Sequence, residues 1–472
     1  MVFSSITFLA YFLPLFLLLY FIIDKKYKNG LILVGSIIFY AWGAPNFIFV
    51  ILLTTFLDFH LVKWMDSLEK PSHRKILLAI SVSINLGLLF YFKYCNFFIG
   101  NINRGLHSVG AGEIPLLSVI MPIGISFYTF ETITYVVDVY RKVHKPLKKF
   151  WDYQLYIILF PKLIAGPIVR YHDLADQITD RPDKIDDKLH GFYRFVIGLA
   201  KKVILANFLG DQAQHIFNWG YQDLDSAGAW MGILCYTFQI YFDFSGYSDM
   251  AIGLGRMMGF KFPENFNNPY TATSITDFWR RWHMTLGSWM KNYLYIPLGG
   301  NKVKHRAFLF INLCIVFLVS GFWHGAMWSF VIWGAYHGIF LVLERLFLLK
   351  VYKKIGKIPS MLITFLIVMI GWVPFKLESM SKTILYLKAM FKFKFTGTFR
   401  WDHEFYFYLF LAIFFSFFAT FKWGQKIQDS IFVKEYGTMK HIFATIIALS
   451  LFMISISFIA ANGFNPFIYF RF

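Results

Sequence analysis

The sequence has little charge and little cysteine for its length. Only 15% of its 472 residues are charged, whereas 57% are hydrophobic and 21% are aromatic, which excludes a typical soluble globular protein. Cys95, Cys235 and Cys314 are far apart, each in or beside an apolar run, which argues against a disulfide framework or a metal site. The sequence also lacks the GxSxG, HExxH and CxxC motifs. This composition predicts an all-α polytopic membrane protein.

Basic residues outnumber acidic ones, and the formal net charge is +19. No basic domain carries this charge, so we expect no nucleic-acid partner. In a membrane protein, lysine and arginine concentrate in cytoplasmic loops, and basic groups follow the early apolar runs at residues 25–28, 63–75 and 141–149. The N-terminus is therefore predicted to lie outside. Its lysines follow the first apolar run, which predicts a retained span rather than a cleaved signal peptide.

Apolar runs of sufficient length predict roughly 12 membrane crossings with both termini outside. Residues 150–170 are apolar but contain two prolines between basic flanks, which predicts a re-entrant or interfacial element. Successive loops alternate between the two sides of the membrane, and this alternation places segment 376–400 outside. The segment is basic, which conflicts with that placement, because basic residues concentrate in cytoplasmic loops. The predicted spans lie at residues 5–23, 30–62 (two spans, broken at AWGAPN), 76–94, about 115–137, 192–209, 228–251, 307–323, 327–348, 359–375, 404–421 and 441–461.

Two stretches stand out against this apolar background. DFWRRWHMTLGSWMKNYLYIPLGGN (277–301) lies in a region without a long apolar run, which we place at the cytoplasmic side, and SGFWHGAMW (320–328) lies between two predicted spans. Each contains a histidine beside a tryptophan. Ionisable groups are expensive at membrane depth, so their clustering here indicates a working region. His283 and His324 are the first candidates.

His324 has the stronger chemical case. An imidazole has a near-neutral reference pKa, so it can accept a hydroxyl proton and return it. Gly321 and Gly325 leave room for backbone or ligand to approach. The residues alone are equally consistent with a structural histidine at a helix turn, or with a helix-packing glycine motif that contains a histidine.

His283 would supply a second titratable group that converges with the first. Its neighbours Arg280, Arg281 and Trp282 are also typical of an amphipathic helix anchored at the membrane interface. The two arginines match the phosphate oxygens of a nucleotide-like donor, although anchoring alone explains them.

Acidic groups near the ends of spans also invite a functional interpretation. They include Glu131, Asp138 and Asp243. We expect most of them to cap helices or to pair with basic residues, and a role in orienting a histidine or binding a cation stays open.

Ordered blocks over most of the chain carry a resemblance to a known family. These blocks are MVFSS, MPIGISFYTFETITYVVDVYR (121–141), FPKLIAGPIVR (160–170), YFDFSGYSDMAIGLGRMMGF (241–260), NFNNPY (265–270), the stretch 277–301, GFWHGAMWSFVIWGAYHG (321–338) and PFIYFRF (466–472). They resemble the membrane-bound O-acyltransferase family, specifically its bacterial alginate O-acetyltransferase branch. The family's signature histidine falls on His324 and its second functional position on His283. The chain departs from the branch at GWVPFK (371–376), which leaves the local role of Pro374 and Lys376 open.

The resemblance implies a ring-like bundle of about 11–13 transmembrane helices, with re-entrant or interfacial helices around a central funnel. It implies a single domain over residues 1–472, with a catalytic core at about 115–348 and C-terminal helices at about 359–472. His324 would act as general base, while His283 would assist it, orient a group or bind the donor. Further candidate substrate-binding residues are Arg280, Arg281, Trp282, Trp323, Asp277 and Asn301, and an indole N–H of Trp282 or Trp323 is a candidate oxyanion donor.

The implied reaction moves an acetyl group from a cytoplasmic donor, acetyl-CoA or another activated acyl compound, to an alginate-like extracytoplasmic polysaccharide. The setting is the bacterial inner membrane, and a separate periplasmic partner finishes the transfer. No tightly bound cofactor and no metal are expected.

Other functions stay open at this point. Peptidoglycan and cellulose are alternative acceptors, and D-alanyl transfer to teichoic acids from a carrier protein is close in chemistry. The longer C-terminal portion and the PFIYFRF ending favour acetyl transfer. A transporter with histidines as a proton relay would be indicated by inverted repeats and broken helices. A catalytically idle scaffold for a secretion complex is the third alternative.

Overall fold

The computed structural model describes residues 1–221, 223–397, 399–434, 436–463 and 466–468. In these ranges the regular structure is helical, and no β-strand is found. The all-α prediction is therefore confirmed. The chain forms two compact units, one of residues 1–187 and 254–263, the other of residues 188–253 and 264–472. Of the closing PFIYFRF segment, residues 469–472 lie outside the described residues.

The first unit contains nine α-helices among its described residues. π-Helical turns at Thr7–Phe12 and Phe90–Tyr94 and 3₁₀ turns at Lys25–Tyr27 and Pro45–Phe47 adjoin them. The helices are α1 (Leu13–Ile22), α2 (Lys28–Gly43), α3 (Ile48–Ser67), α4 (Pro71–Leu89), α5 (Cys95–Ser108), α6 (Ile125–Tyr140), α7 (Phe150–Ile158), α8 (Phe160–Leu163) and α9 (Tyr171–Thr179).

Buried polar contacts fix the first unit internally. Lys162 of α8 forms an ion pair with Glu131 of α6, and both side chains are fully buried. Asp138, at the end of α6, lies 2.7 Å from His172 Nδ1. Residues 150–170 are divided into two short helices and an irregular segment. Their re-entrant character stays a prediction.

The second unit holds the two stretches that the sequence singled out. It adds π-helical turns at Lys201–Ala206, Met290–Tyr295 and Glu344–Leu348, and 3₁₀ turns at Pro269–Thr271 and Phe418–Thr420. Two helices, α10 (Ile185–Ala200) and α12 (Ser226–Met257), have most of their residues in this unit. The other helices of the unit are α11 (Asn207–Phe217), α13 (Ile275–Trp279), α14 (Met284–Trp289), α15 (Arg306–His324), α16 (Trp328–Leu343), α17 (Leu349–Ile355), α18 (Lys357–Leu377), α19 (Met380–Phe391), α20 (His403–Phe417), α21 (Lys422–Phe432) and α22 (Thr438–Asn462).

Glycines bring α15 and α16 into close contact. A Cβ atom on Gly321 would lie 2.3 Å from the carbonyl oxygen of Phe330, and one on Gly334 would lie 2.2 Å from that of Phe317. Only hydrogen is small enough at these positions, so the two backbones pack directly against each other. This packing fixes the end of α15, where His324 stands.

Seven helices in the described part are long and apolar enough to cross a membrane, so the polytopic prediction is confirmed. The number is smaller than the twelve crossings expected. Residues 7–22 form a shorter apolar helix, the predicted span at 115–137 becomes helical only at Ile125, and the predicted span at 192–209 contains Lys201 and Lys202. The candidate spans are Pro45–Ser67, Pro71–Ser108, Arg306–His324, Trp328–Ile355, Lys357–Leu377, His403–Thr420 and Thr438–Ala461.

Candidate active site

His324 is the last residue of α15. The helix ends there because Gly325 adopts an extended conformation, with φ −164° and ψ 145°. The imidazole is 3% exposed, and its centroid lies 5.2 Å from that of Trp333 and 5.3 Å from that of Phe375. The ring therefore stands in an aromatic wall formed by the end of α15 with α16 and α18.

His283 lies between two short helices, α13 and α14, in the left-handed backbone region, with φ 45° and ψ 50°. A residue with a Cβ atom is strained in this region, and such strain clusters at functional sites. Two backbone hydrogen bonds hold the segment, from Asn267 N to Arg281 O and from Met284 N to Asn265 O, each 2.9 Å long. The loop 265–267 is thus hydrogen-bonded to the chain on both sides of His283.

The two histidine rings face a common space. Their centroids are 6.4 Å apart, and the Trp323 ring lies 4.9 Å from His324 and 6.1 Å from His283. A hydrogen bond joins heavy atoms at about 2.6–3.2 Å, so one reacting group between the rings can reach both. The fold therefore brings together two histidines that are far apart in the sequence.

Burial favours the neutral form of His283. The residue is 1% exposed, and desolvation by burial lowers its pKa to about 3. Its Nδ1 atom lies 3.1 Å from the side-chain oxygen of Asn265, and the Phe244 ring meets it edge-on with centroids 4.7 Å apart. At neutral pH the ring can accept a proton or a hydrogen bond.

A cavity of about 1570 Å³ in the second unit reaches the residues next to His283. Met284, Arg281 and Asp277 line it on that side, together with Phe266 and Tyr241. Its far walls come from α20, α21 and α22 and are mainly apolar. The cavity is large enough for a ligand of nucleotide size.

Charged side chains line the polar wall of the cavity. Arg194 contacts Asp249 at 2.9 Å and Glu264 at 2.5 Å, and Lys201 contacts Asp249 at 2.6 Å. Arg281 Nε lies 2.9 Å from Asp277. Lys353 and Lys357, both exposed, stand at another part of the wall. Arginines and lysines from several elements thus line one space, and Arg194, Lys201 and Arg281 are paired there with carboxylates.

The structure separates the remaining candidates into two groups. Asp277 and Arg281 line the cavity, and Trp323 lies beside both histidines. Trp282 instead packs in an aromatic layer, with Trp372 at 5.0 Å and Phe266 at 5.1 Å.

Two further candidates lie at exposed positions. Arg280 is exposed and is absent from the described cavity lining, and Asn301 is exposed and accepts a 2.7 Å hydrogen bond from Tyr295. These two do not join the buried histidines.

Some residues near His283 were not identified from the sequence. Asn265 belongs to the NFNNPY block, which was noted only as a family feature. Phe467, near the chain's end, stacks on Tyr247 at 4.6 Å and lies 5.9 Å from Phe244, which contacts His283. The backbone N–H of Ile468 donates a 2.8 Å hydrogen bond to Asp243. No sequence spacing rule links these residues, because they meet through the tertiary fold.

The chain is similar to known proteins over most of its length. The family model described as MBOAT, membrane-bound O-acyltransferase family, matches residues 34–373. A Pseudomonas putida protein named probable alginate O-acetylase AlgI is 44% identical over 396 residues, which are 83% of this chain and 81% of that protein. A Helicobacter pylori peptidoglycan O-acetyltransferase is 36% identical over 83% of this chain and 80% of its own length. A Streptococcus thermophilus teichoic acid D-alanyltransferase is 30% identical over 50% of this chain and 59% of its own length.

Proposed function

Because the chain belongs to the membrane-bound O-acyltransferase family, we propose that it transfers acetyl groups to an alginate-like extracytoplasmic polysaccharide. It is a multi-pass membrane protein and an O-acyltransferase. The observation that carries the proposal is the pair of buried imidazoles, with centroids 6.4 Å apart, together with a large cavity that is lined by the chain neighbours of His283.

The relatives' names support polysaccharide acetylation over D-alanyl transfer. The alginate and peptidoglycan O-acetylating relatives align over 83% of this chain, against 50% for the teichoic acid relative. Within the acetylating group, the higher identity to the alginate relative favours an alginate-like acceptor over peptidoglycan.

In the proposed reaction, His324 acts as general base. It takes the proton of the attacking hydroxyl as the new C–O bond forms and returns it to the leaving group as the donor's acyl bond breaks. If the donor is a thioester, the leaving group is a thiolate and departs as the thiol. His283, with a neutral ring, assists by accepting a hydrogen bond from a reacting group. Buried indole and phenyl rings around both histidines keep bulk water out.

The cavity is the proposed entrance for acetyl-CoA, which would be a substrate rather than a bound cofactor. Lys353, Lys357 and α21 line it, and all three belong to segments that the distribution of basic residues predicts to be cytoplasmic. Guanidinium and ammonium groups suit the phosphates of such a donor. Arg281 lines the cavity two residues before His283 in the chain.

The remaining parts of the proposal concern the cellular setting. Localisation in the bacterial inner membrane and a separate periplasmic partner that completes the transfer both follow from an acceptor outside the cytoplasm. A single functional domain over residues 1–472 belongs to the same proposal.

The test is polymer acetylation in cells that carry the wild type, His324→Ala or His283→Ala, with the amount of membrane protein measured alongside. We expect His324→Ala to accumulate normally and to lose the acetyl ester. His305→Ala is the matched control, because His305 is exposed and lies at the opposite end of α15. Normal acetylation by His324→Ala at normal protein level would show that the chemistry lies elsewhere.

A further inference from the structure

Asn265 holds the chain around His283 with both its backbone and its side chain. Its carbonyl oxygen accepts from Met284 N at 2.9 Å, and its side-chain Oδ1 accepts from Thr285 Oγ1 at 2.9 Å. The same Oδ1 lies 3.1 Å from His283 Nδ1. All three contacts fall within the turn that holds His283 in the left-handed region.

The contacts of Asn265 also fix which way its amide points. Its Nδ2 donates a 3.0 Å hydrogen bond to Ser248 Oγ on α12. The opposite atom receives the backbone N–H of Thr285, which can only donate, so that atom is the oxygen. A serine hydroxyl can donate or accept, so the 3.4 Å contact from the Thr285 N–H sets the orientation of the amide, with its oxygen toward His283.

This orientation determines the tautomer of the histidine. An amide oxygen only accepts, so the neutral His283 ring must carry its proton on Nδ1 and its lone pair on Nε2. Among the described residues, no hydrogen-bond partner reaches His283 Nε2, although the atom is buried. A buried nitrogen lone pair without a partner is costly, which indicates that a substrate group or water occupies this position in the working enzyme.

We propose that Asn265 is a positioning residue that fixes the tautomer and orientation of His283, so that Nε2 presents its lone pair to the reacting groups. The inference rests on the proposed function of His283 and adds the atom through which that histidine acts. Nε2 accepts its hydrogen bond from a reacting group while Nδ1–H stays bonded to Asn265, so the proton moved by His324 passes through neither His283 nor Asn265.

The surroundings of the ring make this role measurable. Phe244 packs on it from α12, Asn265 from the loop, and Trp323 and His324 from the end of α15. Among these contacts His324 is the only titratable neighbour. Asn265→Asp would therefore place a carboxylate against a ring whose contacts named above include no carboxylate. A carboxylate stabilises the imidazolium and raises the pKa of the histidine by about 1–3 units.

The first experiment reads the tautomer and needs no substrate. Solid-state NMR of ¹⁵N-histidine-labelled protein in membranes, with His283→Gln to identify the His283 signals, should show a neutral ring protonated at Nδ1. Asn265→Ala should mix the two tautomers, and Asn265→Asp should raise the titration midpoint of this ring. A ring protonated at Nε2 in the wild type, or the same tautomer in Asn265→Ala, would overturn the inference.

The second experiment measures transfer of label from [¹⁴C]acetyl-CoA to polymer in permeabilised membranes as a function of pH, normalised to protein amount. The proposed reaction requires a neutral His283, so the activity is lost as the pH falls through the pKa of His283. This loss forms the acidic limb of the pH profile. We expect this acidic limb to move up by about 1–3 pH units in Asn265→Asp, and the rate of Asn265→Ala to fall by about tenfold or more. Asn218→Asp makes the same chemical change at an exposed position and should leave the profile unchanged.

The two experiments distinguish the proposed role of His283 in the reaction from the proposed role of Asn265 in positioning it. Full activity in His283→Gln would refute the proposed role of His283, whatever its tautomer. An inactive His283→Gln, together with an unshifted pH limb in Asn265→Asp and an unchanged rate in Asn265→Ala, would refute the role of Asn265 alone. A purely structural role of Asn265 predicts lower protein levels without any shift of the limb.

Discussion

Glu344 is predicted to hold the start of the segment that carries His283. It opens the π-helical turn after α16 and is 1% exposed. Its carboxylate accepts from the backbone N–H of Ile275, and from Thr276 through both the N–H at 2.9 Å and the Oγ1 hydroxyl at 2.6 Å. These donors form the first turn of α13, where N–H groups have no partner within the helix.

The size of the effect follows from these contacts. Hydrogen bonds to a charged group contribute about 1.5–3 kcal/mol each, and a carboxylate at a helix N-terminus adds about 0.3–1 kcal/mol. Glu344→Gln keeps the shape and one acceptor oxygen but turns an NH₂ group toward an N–H donor. We expect the free energy of unfolding to fall by about 2–3 kcal/mol and polymer acetylation to fall with it.

The assay is denaturant unfolding of the detergent-solubilised protein, combined with a double-mutant cycle. Thr276→Val removes the hydroxyl that contacts Glu344, so the pair should show a coupling of about 1 kcal/mol or more. Glu404→Gln, at an exposed position in the first turn of α20, is the control. A loss below about 0.5 kcal/mol in Glu344→Gln, with no coupling to Thr276, would refute the reasoning.

Two further predictions concern packing and buried charge. Gly321→Ala should destabilise the protein by about 1–3 kcal/mol and displace His324, because the added Cβ would lie 2.3 Å from Phe330 O. Gly338→Ala, where the nearest atom is 3.5 Å away, should be tolerated; equal thermal unfolding of the two variants would contradict this. Lys162→Met should cost about 3–5 kcal/mol by leaving Glu131 buried without its cation, whereas Lys162→Met with Glu131→Leu should recover most of the loss. Lower membrane accumulation of the double variant than of the single one would argue against this account.

Long apolar helices could be predicted closely from the sequence. α15, α18 and α22 begin and end within about three residues of the predicted spans, because about 20 consecutive apolar residues define a crossing. Helix α5 was missed because its asparagines and Arg104 interrupt the apolar pattern, although helical backbone tolerates them. Length and hydropathy thus located the spanning helices better than the amphipathic ones.

The candidate site was predictable only in part. The two Trp-His pairs identified His283 and His324, because an imidazole is chemically distinctive. The same pattern made Trp282 and Trp323 look equivalent, yet Trp282 packs in an aromatic layer while Trp323 lies beside both histidines. Asn265 could not be found, because its contact with His283 depends on how the loop 265–267 folds back.

The left-handed backbone at His283 has a consequence for how sequences of this kind change over time. Glycine adopts φ 45° without strain, whereas a residue with a Cβ atom pays about 1–2 kcal/mol there. A glycine here would also remove a buried ring that packs against Phe244 and contacts Asn265, and the cavity left behind costs more than the strain that glycine relieves. The contacts of the imidazole therefore compensate for the strain of the turn, and stability alone gives no preference for glycine at this position.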